Sequence, residues 1–184
     1  LDKSNIIHII ASDRNYKIIE TTHNNVFDFS DKKYIPDEFL FCDNIHLEKS
    51  NNIDILKTVW EYPIELKERP NRERTLKKLE LDPDYLHILN VGLLNENKNQ
   101  KYIFNLADKF RNDKIMFHFI GNHCYIDNCG ITEGQLNNPN CKVWGERNDV
   151  DDFYSCMDLF LFPSKKELNP ITIKEALSWN LTVI

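Results

Sequence analysis

The sequence predicts an α/β protein built on a doubly wound, mostly parallel sheet, and three observations lead there. From Leu86 onward, short apolar runs alternate with amphipathic segments of helical period, the order that a parallel sheet covered by helices requires. The run Leu159–Phe162 is unbroken rather than alternating apolar and polar, as in a strand buried on both faces. The segment from Asp158 to Ile184, DLFLFPSKKELNPITIKEALSWNLTVI, reads as one strand, loop, helix and strand in succession. A Rossmann-like sheet accounts for all three.

Taken in order, Ile6–Ile10 is apolar but too short to assign to strand or helix. Tyr16–Glu20 reads as a strand running into the polar turn Thr21–Asn25, and residues 26–37, rich in Asp and Lys with Pro36, read as loop. Phe39–Cys42 is expected to be a strand, His46–Asn52 a short helix, and Lys57–Trp60 a strand that stops at Tyr62-Pro63. The charged stretch Glu65–Glu80 reads as a connection plus a lead-in helix from Arg72 to Leu79; charge runs of this kind are usually solvated faces. A second domain then opens on the strand Leu86–Gly92. The helix expected over Asn99–Arg111 carries Ile103, Phe104, Leu106, Ala107 and Phe110 on one side. Lys114–Gly121 is the next strand, and Cys124–Asn140 is a long connection with room for a helix and an insertion. Cys141–Gly145 reads as a short strand, Glu146–Asp149 as a turn and Val150–Cys156 as a helix. The expected division is therefore 1–66, the end of one domain; 67–85, a linker with its helix; and 86–184, a second domain.

The last unit carries the chemistry. Leu159–Phe162 stops at Pro163-Ser164, Lys165–Leu168 reads as loop, and Asn169 followed by Pro170 is a helix start. Asn can cap free N–H groups, and Pro at the first helical position has no N–H to leave unpaired. Ile171, Ile173, Ala176 and Leu177 keep an apolar side until near Asn180, where Leu181–Ile184 begins another strand. A loop entering a helix at the end of a buried strand is a natural anion site, because backbone N–H groups converge on the positive end of the helix dipole. Glu167 and Glu175 flank it, Glu175 roughly 9 Å past the helix start at about 1.5 Å per residue. Carboxylates repel phosphate, so both suit the hydroxyls on either side of it, as in a sugar–diphosphate–ribose ligand.

These residues carry a resemblance. The spacing Glu167-x7-Glu175, preceded by Pro-Ser and closed by Glu-Ala-Leu, resembles the donor-site signature of the retaining, GT-B-fold glycosyltransferases of the group 1 (family 4) type. The resemblance runs from about Tyr16 to the end of the chain. It implies that Glu167 contacts the donor sugar, that the backbone of Asn169, Pro170, Ile171 and Thr172 meets sugar and diphosphate, and that Glu175 binds the ribose hydroxyls. Val91–Gln100 resembles the family's Val-Gly-Arg-Leu…Lys-Gly/Asn loop, which implies that Gly92 and Lys98 lie at the diphosphate. Leu93 stands where that loop has its second cation, an Arg. The Cys141–Gly145 strand and its turn resemble the family's Phe-x-Gly turn near the nucleotide base, implying a place there for Gly145; Trp144 reads more readily as core than as a stacking platform, and Arg147 is a candidate replacement for the missing Arg. Thr21-Thr22-His23 resembles a turn whose His faces the donor sugar across an interdomain cleft, which would make His23 catalytic with Glu167. On the residues alone, His23 reads equally as an ordinary turn residue and Lys98 as a surface lysine at a helix start. Further departures are Leu168 in place of Gly, Gly121-Asn122-His123 in place of Gly-x-Gly, and Asn180-Leu181-Thr182 in place of Gly-x-Pro.

The function so implied is transfer of a sugar, with retention and without an obligatory metal or other cofactor, from a UDP-, GDP- or ADP-sugar to a glycan, lipid or protein acceptor in the cytoplasm. Any membrane contact would be made through parts beyond these residues. The competing readings are a degenerate nucleotide-sugar-binding module without catalysis, and an epimerase or phosphorylase on the same fold. The net charge of −6 argues against a nucleic-acid partner. No apolar run approaches the about 20 residues that span a bilayer, and no signal peptide is recognisable. Five cysteines in no paired pattern read as free thiols, and a zinc site from His123, Cys124, Cys129 and Cys141 would have the wrong spacing for a common structural centre. Abundant Asn, Lys and Ile read as the composition of an AT-rich genome. Beginning at Leu1 and stopping on an apolar run at Ile184, the chain is expected to be a segment of a longer protein.

Overall fold

A computed structural model describes residues 15–22, 35–124 and 126–184. The expectations for Ile6–Ile10, for His23 and for most of the 26–37 loop lie outside the described residues. The chain divides into two compact units after Tyr62.

The first unit holds three parallel strands, β1 (Ile19–Thr22), β2 (Glu38–Phe41) and β3 (Leu56–Val59), in that order across the sheet. The first begins later than Tyr16 because pairing with β2 sets its limits. Ile18 N–H donates to the Asp37 carboxylate at 2.7 Å and Ile18 O accepts from Asp37 N at 3.0 Å, so the ladder opens at Ile19 opposite Glu38. The helix α1 (Asn44–Lys49) starts two residues earlier than His46, because Asp43 caps it by accepting from His46 N at 2.9 Å. Phe39, Phe41 and Ile53 form this unit's core.

The second unit contains α2 (Arg72–Lys78), β4 (Leu86–Val91), α3 (Gln100–Lys109), β5 (Ile115–Ile120), a 3-10 turn (Ile126–Cys129), α4 (Glu133–Leu136), β6 (Cys141–Gly145), α5 (Val150–Cys156), β7 (Leu159–Phe160), α6 (Ile171–Ser178) and β8 (Thr182–Val183). All strand pairs are parallel, in the order β6-β5-β4-β7-β8. Successive residues of a strand face opposite sides of its sheet, and the core divides accordingly. Leu89 and Ile120 pack with Leu76, Phe153, Tyr154 and Ala176 from α2, α5 and α6. Ile88, Phe117 and Phe119 pack on the other side with Ile103, Phe104 and Ala107 of α3. The sheet is thus doubly wound: β5 and β6 are added on one side of β4, and the chain then crosses back to add β7 and β8 on the other. Loops leaving β4 and β7 diverge at this reversal, which opens the crevice where ligands of such sheets bind.

Two local details differ from expectation. The strand expected over Leu159–Phe162 is regular for only two residues, although Leu161 N still donates to Leu89 O at 2.8 Å and Phe162 N to Ile184 O at 2.8 Å. Helix α6 begins one residue later than expected: Pro170 occupies the capping position rather than the first turn, because its ring sets φ at −70° but leaves ψ at 108°, outside the helical range. The departures from the family pattern also find a backbone explanation. Asn180 sits at φ 52°, in the left-handed region that suits Gly and tolerates Asn. Its N–H bonds Leu177 O at 2.9 Å while Leu181 N bonds Ala176 O at 3.0 Å, which closes α6 as a Schellman motif. Leu168 is not among the residues of positive φ, so nothing in the backbone there demands glycine. Among the described residues, no helix is long and apolar enough to cross a membrane.

Candidate functional site

The crevice is made by two loops, 92–99 after β4 and 161–170 after β7, and they are tied together mostly through asparagines. Lys165 N donates to Asn97 O at 2.8 Å, the Asn97 amide to Lys166 O at 2.9 Å, and the Asn99 amide to Pro163 O at 3.2 Å. Asn99 adopts φ 56°, again left-handed, and Asn95 Oδ1 accepts from Lys98 N at 2.8 Å. Buried Leu94 pins the same loop, its N–H meeting Asn122 O at 2.9 Å. A glycine follows or ends each of β4, β5 and β6: Gly92, Gly121 and Gly145. Composition alone does not explain the asparagines in this loop: Asn95, Asn97 and Asn99 build it. Their signal was visible as alternation through the run Asn95-Glu96-Asn97-Lys98-Asn99, since Asn bonds nearby backbone and accepts left-handed φ.

At the centre of the crevice, Lys98 Nζ lies 2.7 Å from Glu167 Oε1, each side chain about one-fifth exposed. The lysine stem runs over Gly92, where a Cβ would stand 3.7 Å from Lys98 Cδ, and its ammonium lies 5.5 Å from the centre of the Phe162 ring. Lys98 is therefore a packed, paired cation rather than a waving surface lysine. Glu167 pairs with this residue, while neighbouring Lys165 reaches Glu96 at 3.2 Å.

Helix α6 rises from the end of the same loop, and its capping residue, Pro170, makes no side-chain capping bond. Ile171 is half exposed at its start, and the Thr172 hydroxyl oxygen is buried without a hydrogen-bond partner. Pro170 precedes it in extended backbone, and Asn169 lies in a bend. On the next turn but one, Glu175 Oε2 accepts from the Tyr154 hydroxyl at 3.0 Å; that hydroxyl also lies 3.4 Å from Thr172 O. Burial first, and then the Glu175 charge, push the Tyr154 ionisation far above its ordinary range. Lys98 and Glu167 pair across the two loops, and the second of these loops leads into α6.

Gly145 lies farther along the sheet edge at φ 70°, a Cβ there falling 3.6 Å from the His123 ring. Arg147 is held by Asp149 through two bonds of 2.8 and 2.6 Å, with its guanidinium 5.3 Å from the Trp144 ring centre. Leu93 is partly exposed, and its carbonyl accepts from Gln100. Trp144 turns its indole N–H inward to His118 Nδ1 at 3.1 Å, so it is occupied by the core. His23 lies outside the described residues. The pairings Lys98–Glu167 and Tyr154–Glu175, and the part of Tyr154, were missed by sequence reasoning. Among the described residues, no cluster of His, Cys, Asp and Glu is arranged to hold a metal ion.

The arrangement offers a cation, a helix N-terminus, and two carboxylates, one before it and one after it in the chain, a combination fitted to a polyhydroxylated anion. Residues 71–184 match the family model described as glycosyl transferases group 1. Among solved structures, the chain is similar to sucrose-phosphate synthase from Thermosynechococcus elongatus, with TM-score 0.74 and 12% identity over 98% of this chain and 52% of that one. It is similar to HepE from Anabaena, crystallised with UDP-glucose, with TM-score 0.75 and 13% identity over 98% and 55%. A glycosyltransferase from Rickettsia africae gives TM-score 0.73 and 15% identity over 98% and 59%. The chain spans about half the length of these proteins, and at such identities the likeness is one of fold. No curated protein matches the chain significantly.

Proposed function

This chain belongs to the group 1 glycosyl transferases, and from that premise we propose that it is the donor-binding part, with a portion of a preceding domain, of an enzyme that moves a sugar from a nucleoside-diphosphate sugar to an acceptor with retention. The observation that carries this reading is the pairing of Lys98 with Glu167 across the loops that follow β4 and β7, at the sheet's reversal point and just before α6. Residues 86–184 act as the donor domain, 67–85 as the connection and 1–66 as the acceptor side.

The chemistry asked of these residues is electrostatic. As the bond between the sugar and the diphosphate breaks, negative charge grows on the diphosphate, and the α6 N–H groups and Lys98 stabilise it. Glu167 holds Lys98 in place before the donor arrives and then divides its hydrogen bonding between that lysine and the donor sugar. Glu175 accepts from the ribose, and Gly92 and Gly145 leave room for ligand beside the strand ends. His23 is retained as a sugar-facing candidate on the resemblance alone. The donor is a UDP-, GDP- or ADP-sugar and the acceptor a glycan, lipid or protein; no metal or additional cofactor is needed for the steps named, and the reaction is placed in the cytoplasm.

A thermal-shift comparison of UDP-, GDP- and ADP-sugars tests the proposal, since a ligand at about a hundred times its Kd stabilises by roughly 2.7 kcal/mol. No shift with any of them would sink it. Lys98→Ala is expected to lower affinity for the nucleoside diphosphate by about tenfold or more while leaving the uncharged nucleoside unaffected, the scale of a charge-assisted bond of about 1.5–3 kcal/mol; calorimetry showing equal losses would mean general damage to the loop. Glu167→Gln, in the full-length parent, is expected to reduce transfer far more than it reduces binding of the product diphosphate, which has no sugar to hold. Wild-type kcat and KM in that variant would return Glu167 to a structural ion pair. The rival reading, a binding module without catalysis, draws on Leu93, an apolar side chain partly exposed where a second cation would help. Donor binding with no transfer or donor hydrolysis by the full-length parent would favour it.

A further inference from the structure

We propose that Tyr154 is a positioning residue that holds the Glu175 carboxylate in the orientation needed to receive ribose hydroxyls; this rests on the donor-site reading above. The two residues come from different helices, Tyr154 from α5 before β7 and Glu175 from α6 after it. The Tyr154 ring is 1% exposed and packs against Phe160 with centroids 5.7 Å apart, so its hydroxyl has essentially one place to be. That place is 3.0 Å from Glu175 Oε2. A phenol has a single proton to donate, and an ionised carboxylate is the stronger acceptor. The carbonyl of Thr172, at 3.4 Å, is the more distant of the two acceptors.

The consequence is a division of labour between the carboxylate oxygens. Oε2 is anchored from the core side, while Oε1 and the spare lone pairs remain for a ligand at the mouth of α6. An unanchored glutamate has three rotatable bonds, and ordering them on binding costs conformational entropy. Tyr154 removes much of that cost before the ligand arrives, which is preorganisation in its simplest form. Since burial and the neighbouring carboxylate keep the phenol protonated, the anchor remains a donor over the whole physiological range.

The alternative role is structural: a buried tyrosine hydroxyl usually finds a hydrogen-bond partner, and in that case Glu175 serves only that need. The two roles differ in what a ribose-free ligand reports. We would measure, by calorimetry on the full chain, uridine diphosphate and its 2′,3′-dideoxy analogue, followed by the guanosine and adenosine pairs, against wild type and Tyr154→Phe, a substitution that keeps the ring. The expected result is that wild type prefers the ribonucleotide, and that Tyr154→Phe lowers ribonucleotide affinity by about five- to tenfold, within the range of one hydrogen bond, while dideoxynucleotide affinity does not change. Adding Tyr154→Phe to Glu175→Ala should then cost no further affinity, because nothing is left for the hydroxyl to hold. If wild type discriminates and Tyr154→Phe discriminates equally well, or loses affinity for both ligands alike, Tyr154 does not position Glu175 although the donor site stands. If wild type binds both ligands equally, Glu175 is not a ribose acceptor, and the assignment beneath the proposal fails with it. Melting temperatures of each variant separate these outcomes from loss of fold.

Discussion

Gly121→Ala should unfold the candidate site before it unfolds the protein, with a stability loss of about 3 kcal/mol or more and a collapse of nucleotide binding. A Cβ at Gly121 would stand 2.2 Å from the carbonyl oxygen of Gly92 and 2.7 Å from its carbon. Both atoms are backbone, so no side chain can rotate aside. They are also fixed: Gly92 N bonds Ile120 O at 2.9 Å and Gly121 N bonds Gly145 O at 2.8 Å, which laces the ends of β4, β5 and β6 together. The Gly121 φ of 138° adds strain for any residue with a side chain. Overpacking of side chains already costs about 1–3 kcal/mol, and here the backbone of the 92–99 loop must move. Lys98 moves with it, so diphosphate affinity should fall further than in Lys98→Ala. Denaturant unfolding and calorimetry measure both effects. Gly134→Ala in α4 is the control: its nearest neighbour is the Thr132 hydroxyl at 4.0 Å, and alanine favours helix, so stability should hold or rise slightly. Wild-type stability and affinity in Gly121→Ala would mean that the strand ends are not packed as described.

The second large effect is acid destabilisation through a buried chain of rings. Trp144 Nε1 donates to His118 Nδ1 at 3.1 Å, His118 Nε2 lies 2.9 Å from His87 Nδ1, and His87 Nε2 lies 2.8 Å from Asp82 O. An indole N–H can only donate and a carbonyl can only accept. His118 Nδ1 is therefore an acceptor, its Nε2 carries the proton given to His87 Nδ1, and His87 Nε2 carries the one given to Asp82. Every bond is made with both imidazoles neutral. A further proton on either ring would put two N–H groups face to face. Burial, then the neighbouring His87, then Lys142 hold His118 down to about 3 from an ordinary 6.5. Burial also lowers His87, with the Asp82 carbonyl, Asp158 and Asp82 opposing and Arg72 assisting; the Asp158 carboxylate accepts from the His87 backbone N–H at 2.7 Å. Arg147 stands over the Trp144 ring. Since the folded values lie below the unfolded one, the unfolded chain takes up more protons as pH falls. The stabilisation is complete above about pH 6.5 and is lost progressively below it. At about 1.4 kcal/mol per pH unit, His118 alone would forfeit on the order of 3 kcal/mol by about pH 4.5. Histidine ring nitrogen resonances should report a neutral, Nε2-protonated His118 down to about pH 5. Trp144→Phe, which frees Nδ1 to take a proton, should lower stability at neutral pH and flatten its decline in acid. A His118 that titrates near 6.5 in the folded protein would end the argument.

Local sequence was enough for much of the second unit. Cys141–Gly145 and Val150–Cys156 have the limits read from the sequence, and Leu86–Val91, the helix near Asn99 and the Glu167-x7-Glu175 spacing were readable because apolar periodicity, turn residues and motif spacing act over a few neighbours. The class of sheet followed from alternation alone. Where a strand begins was less legible: the Asp37 clasp shifts β1 and the ψ of Pro170 shifts α6, and both depend on geometry supplied by another segment or by the path of the loop. Tertiary structure alone decided the partners. Lys98 meets Glu167 because the sheet reverses between β4 and β7; Tyr154 meets Glu175 because α5 and α6 cover the same face; His87, His118 and Trp144 join across β4, β5 and β6 although the ladders pair His118 with Leu89 and Lys142, and Trp144 is the extra residue where the β5–β6 register shifts. Strand order and register are set by how the whole apolar surface is buried, a property of the assembled sheet, so no stretch of sequence a few residues long contains these pairings.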